Sequence, residues 1–290
     1  MAFCQGKEVQ SRLIDTLVEK LTTPPAGSVE PYWTRVESGG YQNEGFILFS
    51  NGKSGVDRIF IRMKQTAING IEFSIIEDYQ PNPVQGLSGI VTNEGPKQNC
   101  YFASSSVYGS NQPVHYWLSF DKDKIMLALK GDKVLSNAVK SFVWIGAPQR
   151  FYDPAQEQTT PLAHANSRWS SPLVNTNADY DFLLGYCRGL RDRARNTNVF
   201  YTMTTLTKWK SKGWGNTILL GEIFLHHNAA EGFRGKMDGV YALNNSNPPD
   251  FQDGDEIMVG SKRYTVHNIW SAGSRSNCWN TPWLAVEQIQ

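Results

Sequence analysis

The stretch DRIFIRMKQTAINGIEFSIIEDY, residues 57–79, carries the pattern of a β-hairpin. Its first half alternates between apolar and charged side chains, with Ile59, Ile61 and Met63 on one side and Arg58, Arg62 and Lys64 on the other. Alternation with a period of two is typical of a strand with one buried face. The Asn69-Gly70 pair in the middle favours a tight hairpin turn. The stretch therefore predicts two antiparallel strands that share an apolar face.

Strand patterns continue on both sides of this hairpin. The candidates are YWTRVES (32–38), EGFILFS (44–50), HYWLSF (115–120), KIMLALKGD (124–132) and KSFVWIGAP (140–148). Asp121–Asp123 reads as the turn of a second hairpin, whereas 81–112 is polar with little pattern. About seven strands in this part of the chain predict an antiparallel sheet or sandwich.

One helix is predicted ahead of the strands, over residues 7–21. Its apolar residues recur at helical spacing and form one stripe: Val9, Leu13, Ile14, Leu17, Val18 and Leu21. Pro24 and Pro25 end the pattern. The prediction for residues 1–150 is a β-rich domain with this amphipathic helix packed on its sheet.

Residues 151–220 predict a long, loop-rich segment, because they are polar, contain proline and show weak periodicity. They hold five arginines, and no lysine occurs between 151 and 207. Arginine is favoured over lysine at interfaces, where its planar group donates several hydrogen bonds. The alternative is a solvated loop, in which Asp179, Asp181 and Asp192 balance the arginines.

Residues 221–290 predict a small all-β unit. TILLGEIFL (217–225), MDGVYAL (237–243) and WLAVEQ (283–288) read as strands. DGDEIMVGSKRYTVHNIW (253–270) reads as a hairpin that turns at Gly260-Ser261. Its alternation predicts that Ile257 and Val259 face Tyr264 and Val266. The whole chain is therefore expected to be mainly β.

Composition narrows the function classes. The chain has 290 residues and a net charge of +1, so its overall field does not attract nucleic acid or anionic membranes. No apolar run reaches the ~20 residues of a membrane helix, and the N-terminus lacks the apolar core of a signal peptide. We expect synthesis in the cytoplasm and no membrane insertion. The four cysteines are far apart, which predicts neither zinc nor a disulfide framework.

The adjacent pair His226-His227 is the most conspicuous candidate for chemistry. Neighbours in a strand point to opposite faces, so the two are not expected to bind one metal. We interpret 221–243 as a strand, a glycine-bearing polar loop and a second strand. No nucleophile elbow, phosphate loop or dinucleotide motif is present in the sequence. The prediction is no catalytic residue, no metal and no cofactor.

Several strings together carry a family resemblance. They are YWTRVES, DRIFIRMKQ, YWLSFDKDKIMLALKGD, SFVWIGAPQRFYDP, GEIFLHHNAAEGFRGKMDGVYAL and DGDEIMVGSKRYTVHNIW. In this order the chain resembles structural virion proteins of tailed bacteriophages. The resemblance implies a non-enzymatic component of the tail, neck or baseplate, made in the host cytoplasm and located in the virion. It also implies partners: other copies in a symmetric assembly and other virion proteins.

The interface is predicted in residues 151–220 and in the 228–238 loop. The residues proposed for it are Arg168, Trp169, Arg188, Arg191, Arg193, Arg195, Trp209, Trp214, Phe233, Arg234 and Lys236. Exposed strand edges in 256–270 are a further candidate, since a neighbouring strand could complete them.

Two alternatives stay open. The tryptophans, Trp283 among them, also fit a carbohydrate-binding or host-recognition module. Contact with DNA in a neck channel through Arg188–Arg195 is the weaker alternative.

Overall fold

A computed structural model describes the chain over residues 2–38, 45–52, 54, 58–66, 70–80, 82, 89–94, 97–102, 111–132, 140–151, 162–167, 181–192, 197–205, 219–226, 233–244, 251–268 and 283–288. Its elements are β1 (Ala2–Val9), α1 (Gln10–Thr22), β2 (Trp33–Ser38), β3 (Phe46–Ser50), β4 (Phe60–Thr66), β5 (Gly70–Gln80), β6 (Ile90–Glu94), β7 (Gln98–Tyr101), β8 (Pro113–Phe120), β9 (Lys124–Gly131), β10 (Lys140–Gly146), β11 (Gln149–Arg150), β12 (Leu162–Ser167), β13 (Asp181–Asp192), β14 (Thr197–Thr205), β15 (Leu219–His226), β16 (Phe233–Asn244), β17 (Glu256–Val259), β18 (Lys262–Asn268) and β19 (Trp283–Glu287). The protein is mainly β, with one N-terminal helix, as the sequence predicts.

The helix begins later than its apolar pattern suggests. Lys7–Val9, predicted as the first turn of the helix, belong instead to β1, which pairs antiparallel with β8 over eight positions. Continuous pairing with a long strand outweighs the helical preference of three residues. From Gln10 the predicted stripe holds, and its members Leu13 and Leu17 are fully buried.

The hairpin predicted in residues 57–79 forms the centre of a small sheet, with strand order β2-β3-β4-β5-β6 and with β7 paired to β5. As predicted, Ile59, Ile61 and Met63 are buried on one face. Thr66 pairs with Gly70, so Gly70 belongs to β5 and the connection comprises residues 67–69, outside the described residues. The hairpin prediction is confirmed, with its turn ahead of Gly70.

The segment 81–112 contains two strands that its sequence did not indicate. Both β6 and β7 pair with β5. Glu94 at the end of β6 accepts a charged hydrogen bond of 2.6 Å from Arg62 and contacts the Ser74 hydroxyl. Backbone pairing and polar cross-strand contacts hold this edge, and neither leaves an apolar alternation in the sequence.

A large sheet contains the other strands. In the described part of the chain it has thirteen strands in the order β1-β8-β9-β10-β12-β13-β14-β15-β16-β19-β18-β17, and β11 pairs with β16. All of its pairs are antiparallel. The last strand in sequence, β19, lies between β16 and β18.

The segment 151–220, expected to be loop-rich, holds β12, β13, β14 and the beginning of β15. These strands join those of the first 150 residues to those of the C-terminal segment within the large sheet. The pairing of β13 with β14 shifts twice along the strand, and such irregular register interrupts an alternating pattern. The division of the chain at residues 150 and 220 stays a prediction.

The two largest clusters of buried apolar residues in the described part of the chain lie on the two sides of β9 and β10. On one side Ile125 and Leu127 of β9 pack with α1 and the small sheet. On the other side Met126 and Trp144 pack with β15, β16 and β19 through residues such as Val240. The two strands therefore lie in the middle of a sandwich and are buried on both faces.

We expect Leu17→Ala to lower the free energy of unfolding by about 2–5 kcal/mol, because it leaves a cavity between α1 and the sheets. Asp15→Ala on the exposed side of the same helix is the matched control, with an expected change within about 0.5 kcal/mol. Urea unfolding followed by tryptophan fluorescence measures both. Equal effects of the two changes would contradict the packing of α1.

Candidate interaction surface

Residues 221–243 form the two antiparallel strands β15 and β16, as interpreted from the sequence. His226 ends β15, and His227 lies outside the described residues together with the rest of the connection. The pairing of His226 with Phe233 closes the described part of the ladder. The predicted role of the two histidines in solvent or protein contacts stays a prediction.

The structure places the predicted interface residues in three groups. Six lie outside the described residues: Arg168, Trp169, Arg193, Arg195, Trp209 and Trp214. Arg188 and Arg191 lie in β13. Phe233, Arg234 and Lys236 belong to β16, so they lie on a strand and not, as expected, in the 228–238 loop. The half-buried Lys236 forms an ion pair with Glu222 of the neighbouring strand β15.

The strand β16 contains a bulge that sequence reasoning missed. Its pairing with β15 jumps from Tyr241 opposite Glu222 to Met237 opposite Ile223, which leaves residues 238–240 as an insertion. Gly239 within it has a φ of +81°, and a Cβ there would lie 2.9 Å from the Met126 side chain. Glycine is required at this point by both the backbone conformation and the close approach of β9.

The bulge brings Asp238 against the middle of the sandwich. The Lys124 ammonium donates a 2.6 Å hydrogen bond to the Asp238 carboxylate. The Trp144 indole Nε1–H donates to the Asp238 carbonyl oxygen at 3.1 Å. Asp238 thus satisfies two buried donors, one from β9 and one from β10.

Lys124 is buried and has two carboxylate partners. Its ammonium lies 2.6 Å from Asp238 and 3.3 Å from Asp121. Burial alone would lower the pKa of Lys124, but the two carboxylates outweigh it and raise the pKa above its ordinary value. Burial likewise favours protonation of Asp238, and the hydrogen bond from Lys124 outweighs it, so the pKa of Asp238 is lowered. The pair is therefore charged at neutral pH.

The turn between β8 and β9 links this ion pair to the small sheet. The Asp121 carboxylate accepts hydrogen bonds from the backbone N–H groups of Asp123 and Lys124, at 2.8 and 2.9 Å. The Asp121 carbonyl oxygen accepts a 2.8 Å hydrogen bond from the indole of Trp33 in β2. This one turn therefore joins both sheets and the bulge of β16.

A second polar cluster holds the residues before β17 against the sandwich. The nearly buried Asp253 carboxylate lies 2.5 Å from the Lys140 ammonium and 3.4 Å from that of Lys130. The adjacent Gly254, with a φ of +90°, would place a Cβ 2.6 Å from the Trp117 indole nitrogen. The lead-in to β17 is thus fixed to β8, β9 and β10.

His267 of β18 lies in the same region and is fully buried. Its ring is 5.0 Å from that of Trp117, and its Nε2 lies 3.0 Å from the Thr265 hydroxyl. Burial lowers the pKa of His267 to about 4; the carboxylate of Asp253 opposes this and the ammonium groups of the two neighbouring lysines reinforce it. The imidazole is therefore neutral at pH 7.

The hairpin of β17 and β18 turns at Gly260-Ser261, as predicted. Ile257 pairs with Tyr264, and both are buried. Val259 does not follow the predicted inward face: it is exposed, because it pairs with Lys262 next to the turn, beyond the reach of the core. Met258 beside it is 59% exposed. The end of this hairpin therefore presents apolar side chains to solvent.

Two cysteines have described side chains, and both are free thiols. Cys100 is fully buried, its sulfur lies 2.9 Å from the Ser141 hydroxyl, and burial raises its pKa to about 12. Burial also raises the pKa of Cys4 to about 11. Both side chains are therefore protonated thiols at neutral pH, and thiols are weak nucleophiles.

Within the described ranges, no three His, Cys, Asp or Glu side chains are grouped closely enough to hold a metal ion. In the described part of the chain, no helix is both long enough and apolar enough to cross a bilayer. A scan against models of known protein families and a search of curated proteins each found no match to the chain.

Sequence reasoning missed both polar clusters, since each joins residues more than a hundred positions apart. One signal was available for the first: Lys124 precedes an unbroken apolar run in β9, and a buried lysine requires a carboxylate partner. A second signal is the Asp238-Gly239 pair inside a strand pattern, because glycine in a strand indicates a bulge.

We expect Asp238→Asn to reduce the dependence of stability on acidic pH. The folded pKa of Asp238 lies below the ordinary value of 3.8, so its contribution is complete above that value and is lost as the pH falls through the folded pKa. At pH 7 the loss is roughly 1 kcal/mol, because the half-exposed carboxylate is screened by solvent. Urea unfolding between pH 2.5 and 7, in steps of about 0.5, compares the two proteins. Parallel curves would contradict the ion pair.

His267 generates a prediction for a higher pH range. Its folded pKa of about 4 lies below the ordinary 6.5, so the unfolded chain binds the extra proton first and stability falls as the pH drops from 6.5 toward 4. The expected loss is roughly 3 kcal/mol. In His267→Gln this part of the pH dependence should vanish in the same urea titration. A variant that keeps the slope would show that another group is responsible.

Proposed function

We propose that the protein is a non-enzymatic structural component of a tailed bacteriophage virion, in the tail, neck or baseplate. It assembles through contacts with its own copies and with other virion proteins. It is made in the host cytoplasm and enters the particle there. The assembly has cyclic symmetry, in which each copy uses two different surfaces.

The observation that carries the proposal is the family resemblance of strings that form the framework of both sheets. YWTRVES supplies β2, and YWLSFDKDKIMLALKGD supplies β8 and β9 with the turn that joins the layers. GEIFLHHNAAEGFRGKMDGVYAL supplies β15 and the bulged strand β16. The resemblance thus rests on residues that build the structure rather than on a surface motif.

The exposed end of the β17–β18 hairpin adds support. Met258 and Val259 are adjacent, apolar and exposed on a hairpin whose base is fixed to the sandwich through Asp253. Exposed apolar side chains on a rigid support are typical of protein contact sites. A virion subunit requires such sites on its surface.

Particle purification tests the proposal. Tailed particles of the phage that encodes the chain are banded in a density gradient, and peptide mass spectrometry measures the chain relative to the major capsid protein. We expect a fixed copy ratio across independent preparations. A soluble replication protein of the same phage is the control and should remain with the unbound fraction.

Deletion of the gene completes this test. We expect particles with a truncated or missing tail structure in negative-stain images, restored by expression of the chain from a plasmid. Intact, infective particles without the chain, or its presence only in the unbound fraction, would overturn the proposal.

Carbohydrate binding is a second candidate function, favoured by one group of aromatic side chains. Phe251 and Trp283 pack edge to face with ring centres 5.9 Å apart, and both are partly exposed. Partly exposed aromatic rings can stack on sugar faces. A glycan array with the wild-type protein and with Trp283→Ala tests this: binding that the substitution removes supports it, and no binding by the wild type rejects it.

A further inference from the structure

We propose that the end of the β17–β18 hairpin of one copy docks in the groove between α1 and the small sheet of a second copy. The inference rests on the proposed function, in that it specifies one contact of the assembly. It names both surfaces and the chemistry that joins them.

The hairpin end combines apolar and basic side chains. Met258 is 59% and Val259 is 40% exposed, on either side of the strand that precedes the turn. Lys262 and Arg263 follow the turn. Each has an internal carboxylate partner, Glu287 for Lys262 and Glu256 for Arg263, and about half of each basic side chain remains exposed. The occupant of this surface should therefore offer an apolar floor and negative charge.

The groove between α1 and the small sheet has this character. It is a cavity of about 400 Å³ lined by Asp15, Val18, Glu19, Thr22, Arg35 and Phe46. Val18 and Phe46 are nearly buried and form its floor, whereas Asp15 and Glu19 stand on the exposed side of the helix. With two carboxylates against the single Arg35, the groove is net negative. Its volume suits the two apolar side chains of the hairpin end, and its charge suits Lys262 and Arg263.

The two surfaces lie on opposite sides of the molecule's middle layer. The groove belongs to α1 and β2–β3, which pack on one face of β9 and β10. The hairpin continues the sheet through β19 and β16, which pack on the other face. A contact between unlike patches on opposite sides is heterologous, so it continues from copy to copy and closes as a ring or extends as an array. That is the geometry that a symmetric tail assembly requires.

Sedimentation velocity of the purified full chain tests the contact. At about 100 μM, above the dissociation constant expected for a small interface, we expect species larger than a monomer. Met258→Asp should weaken association at least roughly tenfold, because it places a charge over the apolar floor beside two carboxylates. Ile90→Asp is the matched control: Ile90 is an exposed apolar residue on β6, at the far end of the small sheet from β2, and its change should leave the mass unaltered.

A charge exchange makes the test independent of folding defects. Arg263→Glu and Glu19→Arg should each weaken self-association, and an equimolar mixture of the two variants should associate more strongly than either variant alone, because the opposite charges then meet across the contact. Matching thermal unfolding curves establish that each variant folds. Failure of the mixture to recover association would overturn the pairing of these surfaces.

The remaining outcomes are also decisive. A wild-type chain that stays monomeric at about 100 μM overturns the contact. Association that Met258→Asp leaves unchanged shows that copies meet through another surface and overturns it as well. A monomer that is nevertheless found in purified particles refutes this contact and leaves the proposed function standing. An oligomer that forms through this contact but is absent from particles supports the contact and overturns the proposed function.

Discussion

The structure is organised around β9 and β10, which are buried on both faces. The consecutive residues Ile125 and Met126 of β9 point into two different cores. One core is shared with α1 and the small sheet, and the other is shared with β16 and β19. A strand buried on both sides offers no solvent-facing position for a charge. β9 carries its two charges near its ends: Lys124, its first residue, is neutralised by Asp121 and Asp238, and Lys130 pairs with Asp253. Because the side chains that β9 and β10 place in the two cores are apolar, both outer layers are held to these strands by hydrophobic packing.

The polar contacts fix the position of each outer layer along the middle strands. Hydrophobic burial is non-directional, so it does not by itself fix how far an outer layer slides across the middle one. The turn at Asp121 and the bulge at Asp238 do fix it, because each places hydrogen-bond partners for an indole at one position only. Trp33 and Trp144 are fully buried, and their N–H groups would lose their hydrogen-bond acceptors if an outer layer shifted by one residue. The layers are thereby locked in one arrangement.

Much of the fold could be predicted from the sequence, and the reasons are local. Some patterns repeat within a single element, so they can be recognised without the rest of the chain. Examples are the helical stripe of Leu13, Leu17 and Leu21 and the strand alternation of Ile59, Ile61 and Met63. The pairing of β1 with β8, the strands of 151–220 and the insertion of β19 between β16 and β18 depend on partners distant in sequence. In the candidate interface, the exposed hairpin could be predicted from its turn at Gly260-Ser261. The groove between α1 and the small sheet could not, because it forms only where the helix and the strands meet.

The position of β19 has a consequence for synthesis. The hairpin of β17 and β18 is translated before Trp283–Glu287, yet it reaches β16 only through that strand. While residues 283–287 are still inside the ribosome, the hairpin has no described strand that connects it to the rest of the large sheet. Until then the lead-in at Asp253 and Gly254 and the side chain of His267 hold the hairpin against β8, β9 and β10. A chain that ends before β19 would therefore keep these side-chain contacts but lack the backbone ladder through which the hairpin continues the large sheet.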